Sequence, residues 1–526
     1  MSASLASLLP SQPSFRVLQN PGQSTDKARG DWIAKTDHLI IILPESPAAS
    51  LWRQVPEGIA LRSLGQKRKL KRKPLRTRLQ NAAGTGIVLG QLSCSDKGAK
   101  RPSSFDLLGY AGMLAAEALA DNPATVAIMA VGFTSAIETD VLKALLLALS
   151  AHNFALPSFQ SNKTNPSRLK TVRIVGASQK IELERTLAEA NGLNLARWLT
   201  ALPPNKLDAG SYRKLIALLA KQHGWQMEFL DEAKLKRAGA GAFLAVSQGN
   251  STKDAGIVRL RYRPKNAPKG TRARPKLALV GKGIIFDTGG TNLKPFKAML
   301  DMHIDMAGSA VAVATLEVLT TLQVPFAIDC WLAITENRIG NTAYKSRDIV
   351  TASNGVTIEV IHTDAEGRMV LADTLALAGK QKPPVIIDFA TLTGSCIQAL
   401  TERYSGVLTN RPQLNNLLIE TGQSCGERVW PFPMDNDFDD DIKSSVADVL
   451  QCAPAGGGDH IQAARFLQRF VPEQSAWVHV DLSAATRKSG LAQVPSEITG
   501  FGVRFATSLI LDNLDQLVNA AKAQQA

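Results

Sequence analysis

The chain has 526 residues, 45% of them apolar and 20% charged, which argues for a soluble globular protein of roughly two or three domains and against disordered or fibrous classes. Its longest apolar runs, such as 141–156, are interrupted by charge or His before the about 20 residues that a membrane span needs, so no transmembrane segment is expected. The net charge of +14 is uneven: residues 1–194 carry +10 and the remainder +4, so any polyanion contact would fall in the first part.

In chain order, the Pro-, Ser- and Gly-containing lead 1–30 reads as poorly structured. It has no basic n-region or clear cleavage site, and the cytoplasm is the expected location. "HLIIILP" (38–44) and "TGIVLGQL" (85–92) read as buried strands. Between them, 62–78 holds nine basic residues and no acid, which is either a solvated face or a contact for nucleic acid or another polyanion. A helix over 105–121, a strand over 125–133, a helix over 138–154 and a strand over 171–177 follow, so an α/β domain is expected over 31–181. One helix, 182–202, stopped by "PPN", connects it to a second α/β series over 203–526. That series has strands at 276–287, 326–334, 357–361, 384–392 and 477–482 and a helix around 304–322.

Five cysteines without a C-x-x-C pair and seven histidines without H-x-x-x-H spacing argue against a disulfide scaffold or a thiolate zinc site, and leave any metal mainly to carboxylates. Carboxylates do gather at strand ends. "KGIIFDTGG" ends with Asp287, and "HTDAEGRM" (362–369) sets Asp364, Glu366 and Arg368 at alternate positions after an apolar run. In extended chain, alternate side chains share one side, so these three are expected to converge on one patch. Asp305 heads an apolar helix, where a cap is the ordinary reading, as a turn is for Asp287. Taken together, these four carboxylates with Lys282 and Lys294 call for neutralising cations. Two divalent ions, Mn²⁺ or Mg²⁺ with Zn²⁺ also compatible, would meet that need and suit hydrolysis at a carbonyl or phosphoryl centre.

The runs 280–295, 303–311, 336–375 and 387–396 resemble the leucine (leucyl, cytosol) aminopeptidase family of two-metal exopeptidases, and the likeness extends from about 192 to 504. It implies a smaller N-terminal and a larger C-terminal catalytic domain with a mixed central sheet, a hexameric assembly, and peptides with uncharged N-terminal residues such as leucine as substrates. Carried over by motif, the resemblance makes Lys282, Asp287, Asp305, Asp364 and Glu366 the ligands of two ions. Asp287 and Glu366 bridge them, and Lys282 is held as a neutral amine. It makes Lys294 the oxyanion stabiliser and Arg368 the holder of a bicarbonate ion that serves as general base. Met302, Thr391 and Gly394 match positions lining the pocket for the N-terminal side chain. The sequence departs from the family pattern at His362, Met369 and Ala307, none of them a ligand. A DNA-binding or architectural role, a family member without catalysis and a phosphoester hydrolase are the alternatives.

Overall fold

A computed structural model describes residues 8–10, 15–20, 32–68, 73–93, 101–161, 169–264 and 274–523. Two compact units emerge from it: Ser11–Asn194 with Lys488–Glu497, and Met1–Pro10 with Leu195–Arg487 and Ile498–Ala526. The helix Glu184–Ala201 runs from one into the other. A division read sequentially misses the return of Lys488–Glu497 to the first unit, because nothing local in that segment marks its destination.

The first unit is a six-stranded sheet in the order β1-β6-β5-β2-β4-β3. Its strands are β1 (Arg16–Asn20), β2 (His38–Pro44), β3 (Leu75–Arg78), β4 (Gly86–Leu92), β5 (Thr125–Ala130) and β6 (Thr171–Val175), parallel except for β3. The central strand β2 is apolar from Leu39 to Pro44 and buried on both faces, as a parallel interior strand must be. The lead 1–30 is not wholly unstructured: "RVLQN" forms β1 beside β6, a run too short to stand out from its Pro- and Ser-rich flanks. In the basic stretch, Lys69, Lys71 and Arg72 lie outside the described residues. Arg76 and Arg78 gather around Asp121, at 2.6 and 3.7 Å, while Arg62, Lys67, Arg68 and Lys73 are exposed.

The second unit centres on an eight-stranded mixed sheet in the order β15-β14-β17-β13-β9-β10-β8-β7. These strands are β7 (Gln226–Asp231), β8 (Gly256–Tyr262), β9 (Leu277–Asp287), β10 (Ile328–Asn337), β13 (Val385–Ala390), β14 (Ser405–Thr409), β15 (Val429–Pro431) and β17 (Ala476–Asp481). A small sheet orders β11 (Ile349–Thr351), β12 (Thr357–Glu359) and β16 (Val449–Leu450) as β11-β12-β16. The four central strands β17, β13, β9 and β10 are parallel, so their carboxyl ends open together on one edge, where ligand sites of such sheets form.

Two helices cover this centre. Ala307–Thr321 crosses close to the strands because glycines remove the intervening side chains. A Cβ at Gly308 would come within 2.1 Å of the Phe389 carbonyl oxygen, and one at Gly281 within 2.5 Å of Ser309 Cα. Glu366–Gly379 is buried at every position and packs into the apolar cluster of Val280, Trp331, Ile386 and Trp477. The apolar stretch Phe296–Thr321 has the length and composition of a membrane span, yet 83% of its most apolar window is buried inside the protein.

Gly308→Ala is therefore expected to force the helix off β13 at a cost of about 1–3 kcal/mol. The melting temperature should fall by several degrees, and an unchanged melt would show that the helix can shift without penalty.

Candidate metal centre

β9 is apolar except at Lys282 in its middle and Asp287 at its end, both buried. Such groups are tolerated only with partners. The Lys282 ammonium lies 2.8 Å from both oxygens of Asp305 and 3.0 Å from Glu366 Oε1, and donates to the Thr391 carbonyl at 2.9 Å. Lys294, beyond the turn that ends β9, lies 2.8 Å from Asp287 Oδ2 and 2.5 Å from Asp364 Oδ1. One oxygen each of Asp287, Asp364 and Glu366 falls within 4.8 Å of the others. All five proposed ligands and Lys294 thus form one connected cluster.

Local chemistry explains the placements. Asp287 Oδ1 accepts from the Gly289 amide at 2.8 Å and from Asn337 Nδ2 at 2.7 Å, so Asp287 shapes its turn while Oδ2 faces Lys294. Gly289 has φ +85°, and a Cβ there would meet the Asn292 carbonyl at 2.5 Å. At Gly367 a Cβ would stand 2.7 Å from Lys282 Nζ, which accounts for the glycine in "AEGR". Asp305 is not the N-cap of the apolar helix. It follows the 3-10 turn Met302–Ile304, the helix Ala307–Thr321 has Met306 at its N-cap, and Thr391 Oγ1 donates to Asp305 Oδ1 at 2.7 Å.

Asp364 and Glu366 converge as expected, with one oxygen of each within 4.8 Å of the other, but the extended chain expected through Arg368 does not hold. β12 ends at Glu359, a turn follows, and the helix begins at Glu366. Successive helical residues rotate by about 100°, so Glu366 and Arg368 leave the axis about 200° apart. Glu366 meets Lys282, whereas Arg368 Nη2 lies 2.8 and 2.7 Å from Asp459 Oδ1 and Oδ2, and Nη1 donates to the Gln451 carbonyl at 3.2 Å. The misreading arose because apolar periodicity starts only at Met369, although an acid in a first helical turn is itself a start signal.

Of the other expected residues, Met302 opens the 3-10 turn before Asp305, and Gly394 begins the helix Gly394–Leu400 with open space where a side chain would go. His362 is exposed, and its Nδ1 accepts from the Asp364 amide at 3.3 Å. Ala307 and Met369 are buried packing residues. The sequence reading missed Asn337, whose Nδ2 also donates to the Thr363 carbonyl, and Tyr344, whose hydroxyl donates to that same carbonyl at 2.8 Å. It missed Asp481, which accepts from the Leu392 amide at 3.1 Å and from Thr393 Oγ1 at 2.6 Å, and Asp459. An amide closing a buried strand and an acid after three glycines were the available signals.

Burial works against both ammonium groups, but neighbouring carboxylates outweigh it and hold the pKa values of Lys282 and Lys294 above the ordinary lysine range. Burial, with repulsion from Asp287, pushes Glu366 up to about 8 and Asp305 up to about 6, and raises Asp364. Burial leads each upward carboxyl shift, and repulsion among the carboxylates adds to it. A neutral amine at Lys282 therefore requires added cations. Glu366 Oε2 is buried without a hydrogen-bond partner, and the donor set is rich in oxygen, so the residues fit divalent ions.

The model of the cytosol aminopeptidase family catalytic domain matches residues 194–507. A probable cytosol aminopeptidase of Syntrophotalea carbinolica is 37% identical over 445 residues, covering 82% of this chain and 85% of the relative. One from Chlorobaculum tepidum is 37% identical over 358 residues, covering 67% and 69%. Among solved structures, a mutant tomato leucine aminopeptidase aligns with TM-score 0.81 at 25% identity, covering 96% of this chain and 98% of that one. The bottromycin maturation enzyme BotP in complex with Mn aligns with TM-score 0.77 at 25% identity, covering 92% and 100%.

Mn²⁺ added to chelated protein at about 100 times its dissociation constant should stabilise the fold by about 2.7 kcal/mol, read as a higher melting temperature. Asp287→Asn should lose that rise without melting lower in the chelated state, since it removes one of the mutually repelling charges. An undiminished rise would take Asp287 out of the ligand set.

Proposed function

The chain belongs to the cytosol aminopeptidase family and is a metallo-aminopeptidase; from that premise we propose that it releases uncharged N-terminal residues, leucine among them, from peptides in the cytoplasm, using two divalent ions held by Lys282, Asp287, Asp305, Asp364 and Glu366. The observation that carries this reading is the largely buried cluster of four carboxylates against two lysines, an imbalance that bound cations would relieve. Mn²⁺ and Zn²⁺ are the ions proposed, with Mg²⁺ as a third candidate. When bound, they supply Lewis acidity and an activated water.

The chain's own residues supply the rest. Lys294 remains an ammonium beside Asp287 and Asp364, as a group that stabilises a developing oxyanion must. Thr391, fixed between Lys282 and Asp305, and Met302 and Gly394 would border the pocket for the departing residue's side chain. In the family reading, Arg368 would hold a bicarbonate ion, which would supply the general base. A homohexamer is the proposed assembly.

A separate contact with nucleic acid through 62–78 draws on the exposed Arg62, Lys67, Arg68 and Lys73. It would be electrostatic and would weaken steeply with salt. Gel-shift assays at low salt should show retardation of duplex DNA that is lost on replacing those four by Ser with peptidase activity unchanged; no retardation by the unmodified protein would discard the contact.

Chelated protein given back Mn²⁺, Zn²⁺ or Mg²⁺ should cleave a panel of amino-acid amides, and inertness on the whole panel would overturn the reading. Lys294→Ala should lower kcat by about 10²–10³ with metal content intact. If metal analysis finds that variant empty, Lys294 serves to assemble the site.

A further inference from the structure

The arginine that the family reading gives to a free anion already holds one from the chain. Asp459 is the first residue of the helix Asp459–Gln468, directly after Gly458 at φ +77°. Both of its carboxylate oxygens lie on Arg368 Nη2, at 2.8 and 2.7 Å, in a forked contact with that one nitrogen. Nη1 donates to the Gln451 carbonyl, and Nε is buried without a partner. The arginine side chain is 2% exposed and the aspartate side chain 42%, which makes the carboxylate the member of the pair open to water. Two contacts from one nitrogen also leave lone pairs free on both oxygens.

Bicarbonate offers an arginine two oxygens on one carbon, and so does Asp459. We propose that Asp459 replaces bicarbonate as the general base of this chain, gripped by Arg368. The proposal rests on the aminopeptidase reading. Asp459 takes a proton from the water that attacks the scissile carbonyl carbon. As the C–O bond forms, the carbonyl electron pair moves onto oxygen, beside Lys294. The proton is then delivered to the peptide nitrogen while the C–N bond breaks, leaving a free amino acid and a peptide shortened by one residue. Nothing is oxidised or reduced, and no free anion takes part.

The competing account makes Asp459 only the counter-ion that a buried Arg368 needs. Two variants separate the accounts: Asp459→Asn keeps the shape without the charge, and Asp459→Gly opens the place where an anion would sit. In buffers purged of carbon dioxide, the metal-loaded unmodified protein should hold its kcat within twofold whether or not bicarbonate is added. Both variants should lose about 10²-fold or more. Added bicarbonate should restore Asp459→Gly at least tenfold and leave Asp459→Asn unrestored. A second readout needs no turnover: ¹³C-labelled bicarbonate should bind chelated Asp459→Gly by NMR line broadening, and should bind neither the unmodified protein nor Asp459→Asn.

Dependence of the unmodified protein on bicarbonate, or its binding of bicarbonate in the chelated state, would overturn the proposal. So would a folded Asp459→Asn with kcat within twofold of the unmodified protein in purged buffer, and this arm decides if Asp459→Gly does not fold. An unmodified protein inert on every amide would instead overturn the aminopeptidase reading, and the bicarbonate-binding arm would still decide what occupies Arg368.

Discussion

An excess of buried negative charge governs the second unit. Lys282 and Lys294 are shared among Asp287, Asp305, Asp364 and Glu366, and the carboxyl groups whose pKa values move are pushed upward. Such a cluster is tolerable only if each member is fixed, because a buried charge free to turn away from its partner costs several kcal/mol. The surroundings supply that fixing. Asn337 at the end of β10 ties Asp287 to the Thr363 carbonyl, and Tyr344 ties the same carbonyl from another side. Asp481 at the end of β17 holds Leu392 and Thr393, and so sets Thr391, which bonds both Lys282 and Asp305. The four parallel strands thus contribute charged members and supports of the cluster at one edge, and glycines at 281, 308 and 367 let helices approach closely enough to complete it.

Much of this was legible in the sequence, for identifiable reasons. The interior parallel strands are buried on both faces and read as continuous apolar runs, so β2, β4, β5, β9, β10, β13 and β17 stand out. The antiparallel and edge strands do not. β7 ("QMEFLD") and β8 ("GIVRLRY") mix charge with apolar residues, and β15 has three residues, below the length at which periodicity is visible. The return of Lys488–Glu497 to the first unit and the pairing of β1 with β6 are long-range events that no local pattern encodes.

At the site, residue types were legible and directions were not. The motif series identified the acids and lysines, and the structure brings them together. The error lay in the conformation assumed between them. A strand and the first turn of a helix both carry charged residues after an apolar run, but alternate positions agree in direction only in the strand. Asp459 escaped notice for a related reason: its partner lies 91 positions away, and its own neighbourhood, "GGGDH", looks like a loop.

That change of direction separates two kinds of work. On one side of the helix start, Glu366 faces Lys282, a compact point charge on a flexible stem whose pKa responds to its surroundings and which can give up its proton when stronger cations arrive. On the other, Arg368 keeps its charge under all ordinary conditions and meets both oxygens of Asp459 through Nη2. An arginine in place of Lys282 could not vacate its charge for the proposed ions, so the two residue types are not interchangeable there. The helix that begins at Glu366 thus sets a carboxylate facing Lys282 and an arginine facing Asp459 only two residues apart, and its positive N-terminal end favours the carboxylate it carries there.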